Sequence, residues 1–329
     1  MTTTSLAAAV LTRAAHAAGM APSVFNTQPW RWRVLPEWLE LYADRSRQMG
    51  RVDPEGRLLT ISCGAALHHA RVALAAEGWE AAVVRFPDPE EPDHLARVSL
   101  GRQVGVAPAA MRRFQAAQIR HTDRRTLVDV PVPDEVLAEI RSAVEAEQNH
   151  LHVLHGDQVN DLAVAAGRAD VLEAADPDLR AELAYWIGGR REEGTGIPDT
   201  VIPSGAPPTG VPMRDLGRTG TLPPGEGSDR AAIYAVIFGA EDTPPAWLRA
   251  GEALSAAWLT ATMHGVSLLP FSAPMEVPAT RIVLRRLLAG LGHPYLVLRL
   301  GLVDPTEPAP PRPPRLAPTQ TVEIVETGR

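Results

Sequence analysis

The chain contains no lysine: all 32 of the basic residues among its 329 are arginine. That excludes a lysine Schiff base, and with it ordinary pyridoxal-phosphate catalysis, and it excludes the lysine of a Walker P-loop. Any phosphate held by a cation here is held by arginine, whose planar fork suits bidentate contact. Cysteine is almost as scarce. Cys63 alone rules out an internal disulfide framework or a cysteine-rich metal site, and suits a reducing compartment. It lies in the apolar stretch LLTISCGAAL and reads as a buried structural thiol. No dense basic run is present, and a net charge of −7 argues against a nucleic-acid surface. No apolar run approaches the roughly 18–20 residues that span a bilayer, so no membrane partner is expected. The N-terminus MTTTSLAAAVLTRAAHAAGM lacks a basic leader, and Arg13 interrupts it. It reads as an amphipathic helix capped near Thr4 or Ser5 and stopped by Gly19, in a cytoplasmic protein. Neither a Gly-x-Ser-x-Gly elbow nor a Gly-x-Gly-x-x-Gly turn occurs, which argues against a hydrolase triad and a Rossmann dinucleotide site.

What is present is a soluble globular composition, 45% hydrophobic and 22% charged, long enough for two domains or one large one. After the first helix, WRWRVL (30–35) and LELYAD (39–44) read as strands joined at Pro36. CGAALHHARVALAAEGW reads as a buried helix ending at Gly78, and 81–86 and 96–101 as two more strands. MRRFQAAQIRHTDRR reads as a helix breaking out into basic residues, followed by an amphipathic helix from Pro133 and Asp134 with Val136, Ile140 and Val144 on one face. HLHVLH follows as a strand, with His150, His152 and His155 at a sheet edge, then helices near 157–170 and 178–187. Residues 194–227 differ: they hold eight glycines and seven prolines in 34 positions. That length marks a lid, a binding loop or a disordered segment. A central strand at 231–240, helices at 247–265 and 278–290, a strand at 295–303 and an extended proline-rich tail complete the chain, and TVEIV is a candidate last strand.

The two alanine-rich helices repeat each other. Gly64, Ala66, Leu67, Ala70 and the terminal Gly78 recur as Gly251, Ala253, Leu254, Ala257 and Gly265, each 187 positions later. Each is preceded by strands and an earlier helix, so the chain reads as two copies of one α+β half. The copies differ informatively. The first keeps a polar seam, APSVFNTQPW (21–30), between its helix and its strand. The second begins with RHTDRR (120–125), a basic cluster the first copy lacks. Local turn chemistry at the seam and a solvated helix end at the cluster are the plainer readings. The paired His68 and His69 have no acidic or histidine partner at ligand spacing and read as core.

APSxxNxQPW followed by an aromatic strand resembles a signature of the nitroreductase superfamily, flavoenzymes that bind FMN across a dimer interface. RHTDRR with its following helix resembles that family's basic motif. Having the two motifs on different halves, in reversed order, resembles the Acg-type subfamily, a fused pseudo-dimer; LTISCGAAL, LYADRSR and PMEVP are similar to it as well. The resemblance implies an α+β nitroreductase-like fold of two pseudo-equivalent halves, mixed sheets flanked by helices. Residues 1–108 would form the first half and 109–329 the second, with a lid insertion near 190–230. It implies a monomer acting as an internal pseudo-dimer.

The residues carried over are specific. Pro22, Ser23, Asn26 and Gln28 fall at the seam that meets the pyrimidine edge of the flavin ring, where N3–H needs an acceptor and the carbonyls need donors. Arg120 and Thr122 match phosphate contacts and Arg124 the cation beside N1 and C2=O. Ser272 and Ala273 fall in the stretch whose backbone N–H approaches N5, and Arg312 or Arg315 should add a last phosphate contact. Phe25 departs from the subfamily, where histidine is more usual. The implied activity is FMN-dependent transfer of hydride from NAD(P)H through N5 to a small-molecule electron acceptor, a nitroaromatic or quinone. The alternative is an FMN-storing or sequestering protein whose lid covers the flavin; a flavin-free relative is a third reading.

Overall fold

The computed structural model describes residues 6–188, 192–205 and 209–325, so the cap expected at Thr4 or Ser5 lies outside them. The elements are α1 (Leu6–Ala18), β1 (Trp30–Val34), β2 (Trp38–Ala43), α2 (Arg57–Ala76), β3 (Trp79–Arg85), β4 (His94–Gln103), α3 (Pro108–Ile119), α4 (Asp134–Ala146), β5 (His150–Val153), α5 (Asp157–Ala175), α6 (Pro177–Trp186), β6 (Ile233–Gly239), α7 (Pro244–Met263), β7 (Val266–Phe271), α8 (Ala273–Glu276), α9 (Pro278–Leu287), β8 (His293–Leu302), α10 (Pro318–Thr321) and β9 (Val322–Ile324). One expectation shifts. The helix expected from Cys63 begins at Arg57, six residues earlier, because the Asp53 carboxylate accepts from Leu59 N and anchors its first turn. The helix expected to break out into RHTDRR ends at Ile119, immediately before the cluster, which is not helical.

Two sheets lie side by side in topology. One has the order β3-β4-β2-β1-β9 and the other β5-β6-β8-β7. Setting β9 aside, they have one plan: β3, β4, β2 and β1 correspond to β7, β8, β6 and β5, with every neighbouring pair antiparallel. β6 is interior, as its continuous apolar run predicts, and β5, carrying His150 and His152, is an edge. The tail strand β9 returns to the first sheet and pairs parallel to β1, with Trp32 opposite Val322. The indoles of Trp30 and Trp32 are 1% and 0% exposed, filling the space between β1 and α1.

α2 and α7 pack against each other at the centre, and their contact is set by two glycines. A Cβ on Gly64 would stand 2.0 Å from Leu248 O, and one on Gly251 would stand 1.9 Å from Ile61 O. Only hydrogen fits at either position, so the helix backbones touch. Beside this point the Ser255 hydroxyl lies 2.8 Å from His68 Nδ1 and 3.0 Å from His69 Nδ1. Burial, then nearby arginines, holds both imidazoles well below the usual histidine range, so both are neutral. Contrary to the reading of the sequence, α2 is long and apolar enough to cross a bilayer by length and composition; 89% of that stretch is buried inside the protein.

The glycine contact predicts opposite signs for two substitutions. Gly251→Ala should destabilise by about 1–3 kcal/mol or more, because the new methyl overpacks a backbone contact. Gly167→Ala on α5, where a Cβ meets nothing within 4 Å, should stabilise by about 0.5–1 kcal/mol. Denaturant midpoints of the two variants check both; a harmless Gly251→Ala would mean the helices do not touch.

Candidate functional site

The seam between α1 and β1 has unusual backbone. Phe25, Asn26 and Gln28 have φ of 43°, 56° and 50°, the left-handed region that costs a non-glycine residue about 1 kcal/mol or more. Local bonds hold this shape. Ser23 Oγ accepts from Gln28 N at 2.9 Å, Thr27 Oγ1 donates to Val24 O at 2.9 Å, and Ser62 Oγ on α2 accepts from Val24 N at 3.0 Å. The amides then reach outward. Asn26 Nδ2 donates to Gly196 O at 3.2 Å and Pro314 O at 2.9 Å, and its Oδ1 accepts from Arg315 at 2.7 Å. Gln28 Nε2 donates to Gly194 O at 2.8 Å while its Oε1 accepts from Leu316 N at 3.0 Å. The seam therefore ties together the Gly/Pro-rich segment and the tail. Gly194 (φ 91°) allows this approach, since a Cβ there would stand 2.7 Å from Arg315 O.

In front of the seam opens a cleft, and ten of the eleven residues singled out in the sequence line it. Pro22, Ser23 and Asn26 come from the seam, and Arg120, Thr122 and Arg124 from the extended chain after α3. Ser272 and Ala273 come from the junction of β7 and α8, and Arg312 and Arg315 from the tail. Gln28 is the exception: it is 1% exposed and its side chain is spent on Gly194 and Leu316. The walls are otherwise apolar, from Leu58 and Ile61 of α2, Leu254 and Trp258 of α7, and Phe25 and Phe271. One further wall comes from Ile197, Met213, Arg214 and Leu216 of the Gly/Pro-rich segment. Trp258 and Arg214 had no signal in the sequence. Trp258 lies one residue beyond the repeated pattern, and Arg214 is one arginine in a loop without periodicity.

The electrostatics of the cleft divide its five arginines. Arg120, Arg124, Arg312 and Arg315 have no acidic partner among the described residues, whereas Arg214 has two. Arg120 is 6% exposed, sits 4.4 Å over the Trp258 ring, and makes one long bond, 3.4 Å, to Met20 O. Burial first, then the Arg315 and Arg312 charges, pushes Arg120 down to about 9. Burial pushes Arg124 down to about 10, and burial with Arg312 does the same to Arg315. Arg120 Nε, Arg124 Nη1 and Arg315 Nε are buried without a hydrogen-bond partner among the described residues. Single nitrogens of Arg57 and Arg299 are likewise without a partner, but those arginines have carboxylates: Arg57 pairs with Asp242, Arg299 with Asp229, and Arg125 with Asp123 and Glu307. Unmatched buried cations beside an apolar cleft are the complement of a ligand with an apolar body and an anionic group.

An unmatched buried cation costs stability until an anion arrives. Arg124→Met should therefore raise the unfolding free energy of the ligand-free protein, by about 1–2 kcal/mol. Thermal melts of the two ligand-free proteins check it; a variant that melts below wild type would show that Arg124 is already satisfied.

No protein-family model matches the chain. Comparison with known proteins finds relatives in Mycobacterium tuberculosis. The protein named "Putative NAD(P)H nitroreductase Rv3131" is 38% identical over 302 residues, covering 88% of this chain and 85% of its own. The one named "Putative NAD(P)H nitroreductase acg" is 33% identical over 309 residues, covering 93% of each. The crystal structure of the FMN-dependent nitroreductase NfnB from Mycobacterium smegmatis in complex with NADPH aligns with 65% of this chain and 99% of its own, at 18% identity and a TM-score of 0.39. That structural match is too weak to add weight; the sequence relatives decide. By identity extending over most of both chains, this protein belongs to the nitroreductase family of Rv3131 and acg.

Proposed function

We propose that the protein is an FMN-dependent oxidoreductase that takes reducing equivalents from NAD(P)H and passes them to a small acceptor, a nitroaromatic or quinone. The observation that carries this reading is the set of four arginines without acidic partners facing an apolar slot between the two sheets' elements. The NAD(P)H nitroreductase names of the relatives support it.

In this reading Arg120, Thr122 and Arg312 or Arg315 hold the phosphate, and Arg124 lies beside the ring. Pro22 and Ser23 offer the seam's backbone to the polar edge of the ring. Asn26 acts by aiming Arg315, to which its Oδ1 is bonded. Gln28 belongs to the support of the tail rather than to the ligand contacts. Ser272 and Ala273 offer backbone at the opposite wall. FMN, when bound, supplies the two-electron redox chemistry, while these residues orient it and exclude water. Residues 1–108 and 109–329 are read as two nitroreductase-like halves forming an internal pseudo-dimer, which makes a monomer sufficient for one site.

A second reading has its own observation. Ile197, Met213 and Leu216 close one side of the cleft, as a lid over a stored flavin would. One experiment separates the two. The purified protein should be yellow, or become so with FMN, and NADPH or NADH added without oxygen should bleach it. A yellow protein that neither nicotinamide bleaches would favour storage, and a protein that never takes up FMN would remove both readings. Arg124→Ala should weaken FMN affinity at least tenfold, since one charge-assisted contact is worth about 1.5–3 kcal/mol.

A further inference from the structure

Arg214 is the one cleft arginine with acidic partners, and it has two. Its Nη2 donates to Glu173 Oε1 of α5 at 2.6 Å and also to Glu276 Oε2 of α8. The three side chains are 9%, 7% and 2% exposed. No second cation bonds either carboxylate among the described residues, and Glu276 Oε1 and Arg214 Nε are buried without partners. The other side of the Arg214 guanidinium faces the Phe25 ring at 5.2 Å, which puts the cluster against the cleft wall. Arg214 also belongs to the Gly/Pro-rich segment, whereas Glu173 and Glu276 belong to helices of the body. Hydrogen bonds tie that segment to the body near its ends, where Gly194 and Gly196 accept from the seam and Gly225 O accepts from Thr126 Oγ1, and between them Val211 is buried in an apolar cluster with Tyr234, Phe271 and Met275. The segment's other described charge contact lies within it (Arg218 to Asp199), and Glu192 just ahead of it pairs with Arg47.

We propose that Arg214, Glu173 and Glu276 form a proton-dependent latch that fastens residues 209–225 over the cleft, with a proton held on Glu173 while it is closed. Two buried carboxylates meeting one guanidinium nitrogen leave one negative charge over, and a proton on Glu173 removes it. Burial, opposed by Arg214 and reinforced by Glu276 and Asp170, lifts Glu173 to about 7. Beyond these, the polar cavity behind the latch brings Asp53, Asp176, Arg51, Arg57 and Arg281 near. When the segment lifts, Glu173 meets water and returns toward the ordinary glutamate value of 4.5. Closing therefore takes up a proton between the open and closed values. The closing constant falls as pH rises through that window and levels off above it, a loss of about tenfold between pH 6 and pH 8. What the latch controls, access to a flavin, rests on the function proposed above; the latch itself does not.

Hydrogen exchange of the amides in 209–225, measured on the FMN-free full-length protein, tests it. Wild-type protection factors should fall about tenfold from pH 6 to pH 8. Glu173→Gln, a neutral mimic that still accepts from Arg214, should keep the same protection at both values, and so should Glu276→Gln. Arg214→Met should lose protection at both. Protection in the wild type that ignores pH, glutamine variants that follow the wild type, or an Arg214→Met segment that stays protected would each overturn the latch. The readout needs no flavin, so a protein that fails to bind FMN yet shows this pattern removes the function proposed above and keeps the latch.

Discussion

The contact between Gly64 and Gly251 is the constraint on which the rest depends. No side chain fits there, so the two buried helices approach until their backbones touch. That closeness lets each helix contribute to both cores and to one cleft. Leu58, Ile61 and Ser62 of α2 face it from one side of the crossing, Leu254 and Trp258 of α7 from the other. Apolar burial around this axis stabilises the fold: α2 exposes almost nothing and α7 buries most of its length.

The two copies of the repeat differ at positions that line the cleft. Shifted by 187, Trp258 falls on Arg71 and Ser272 falls on Arg85. Those two arginines converge on Glu252, which is fully buried, at 2.7 Å each, and Arg71 also bonds Glu147 at 2.7 Å. Where one half presents an indole and a hydroxyl beside open space, the other has filled the corresponding positions with paired charges. Charge is thus matched at the filled crossing and left unmatched at the open one. The contrast is physical: a buried guanidinium neutralised by a protein carboxylate needs no ligand, and one without a carboxylate leaves its charge for an anion to match.

Much of this was legible in the sequence. The strands, the central glycine-alanine helices and their mutual packing followed from period, composition and the 187-residue repeat. Ten of the cleft's lining residues followed from the seam, the basic cluster, the stretch at Ser272 and Ala273, and the tail, through the family resemblance. What was not legible has identifiable reasons. Helix α2 starts early because Asp53 bonds its first turn across a loop, a tertiary choice that no local pattern records. The return of β9 to the first sheet depends on the tail crossing the molecule, and three residues of strand carry no direction. Asn26 and Gln28 looked poised for a ligand because amides at a seam read alike whether their partner is a ring edge or a neighbouring backbone. The structure shows their bonds reaching Gly194, Gly196, Pro314 and Leu316. Glu173 and Glu276 stood 103 positions apart, and only folding puts them on one guanidinium.

The central claim is that one chain builds one anion-anchored flavin site from parts divided between its halves. Titration of the FMN-free protein with FMN and, separately, with riboflavin measures it most directly. The account predicts saturation at one FMN per chain and riboflavin binding weaker by about a hundredfold or more, the worth of two charge-assisted phosphate contacts. Two equivalents of FMN per chain, or riboflavin bound as tightly as FMN, would contradict it.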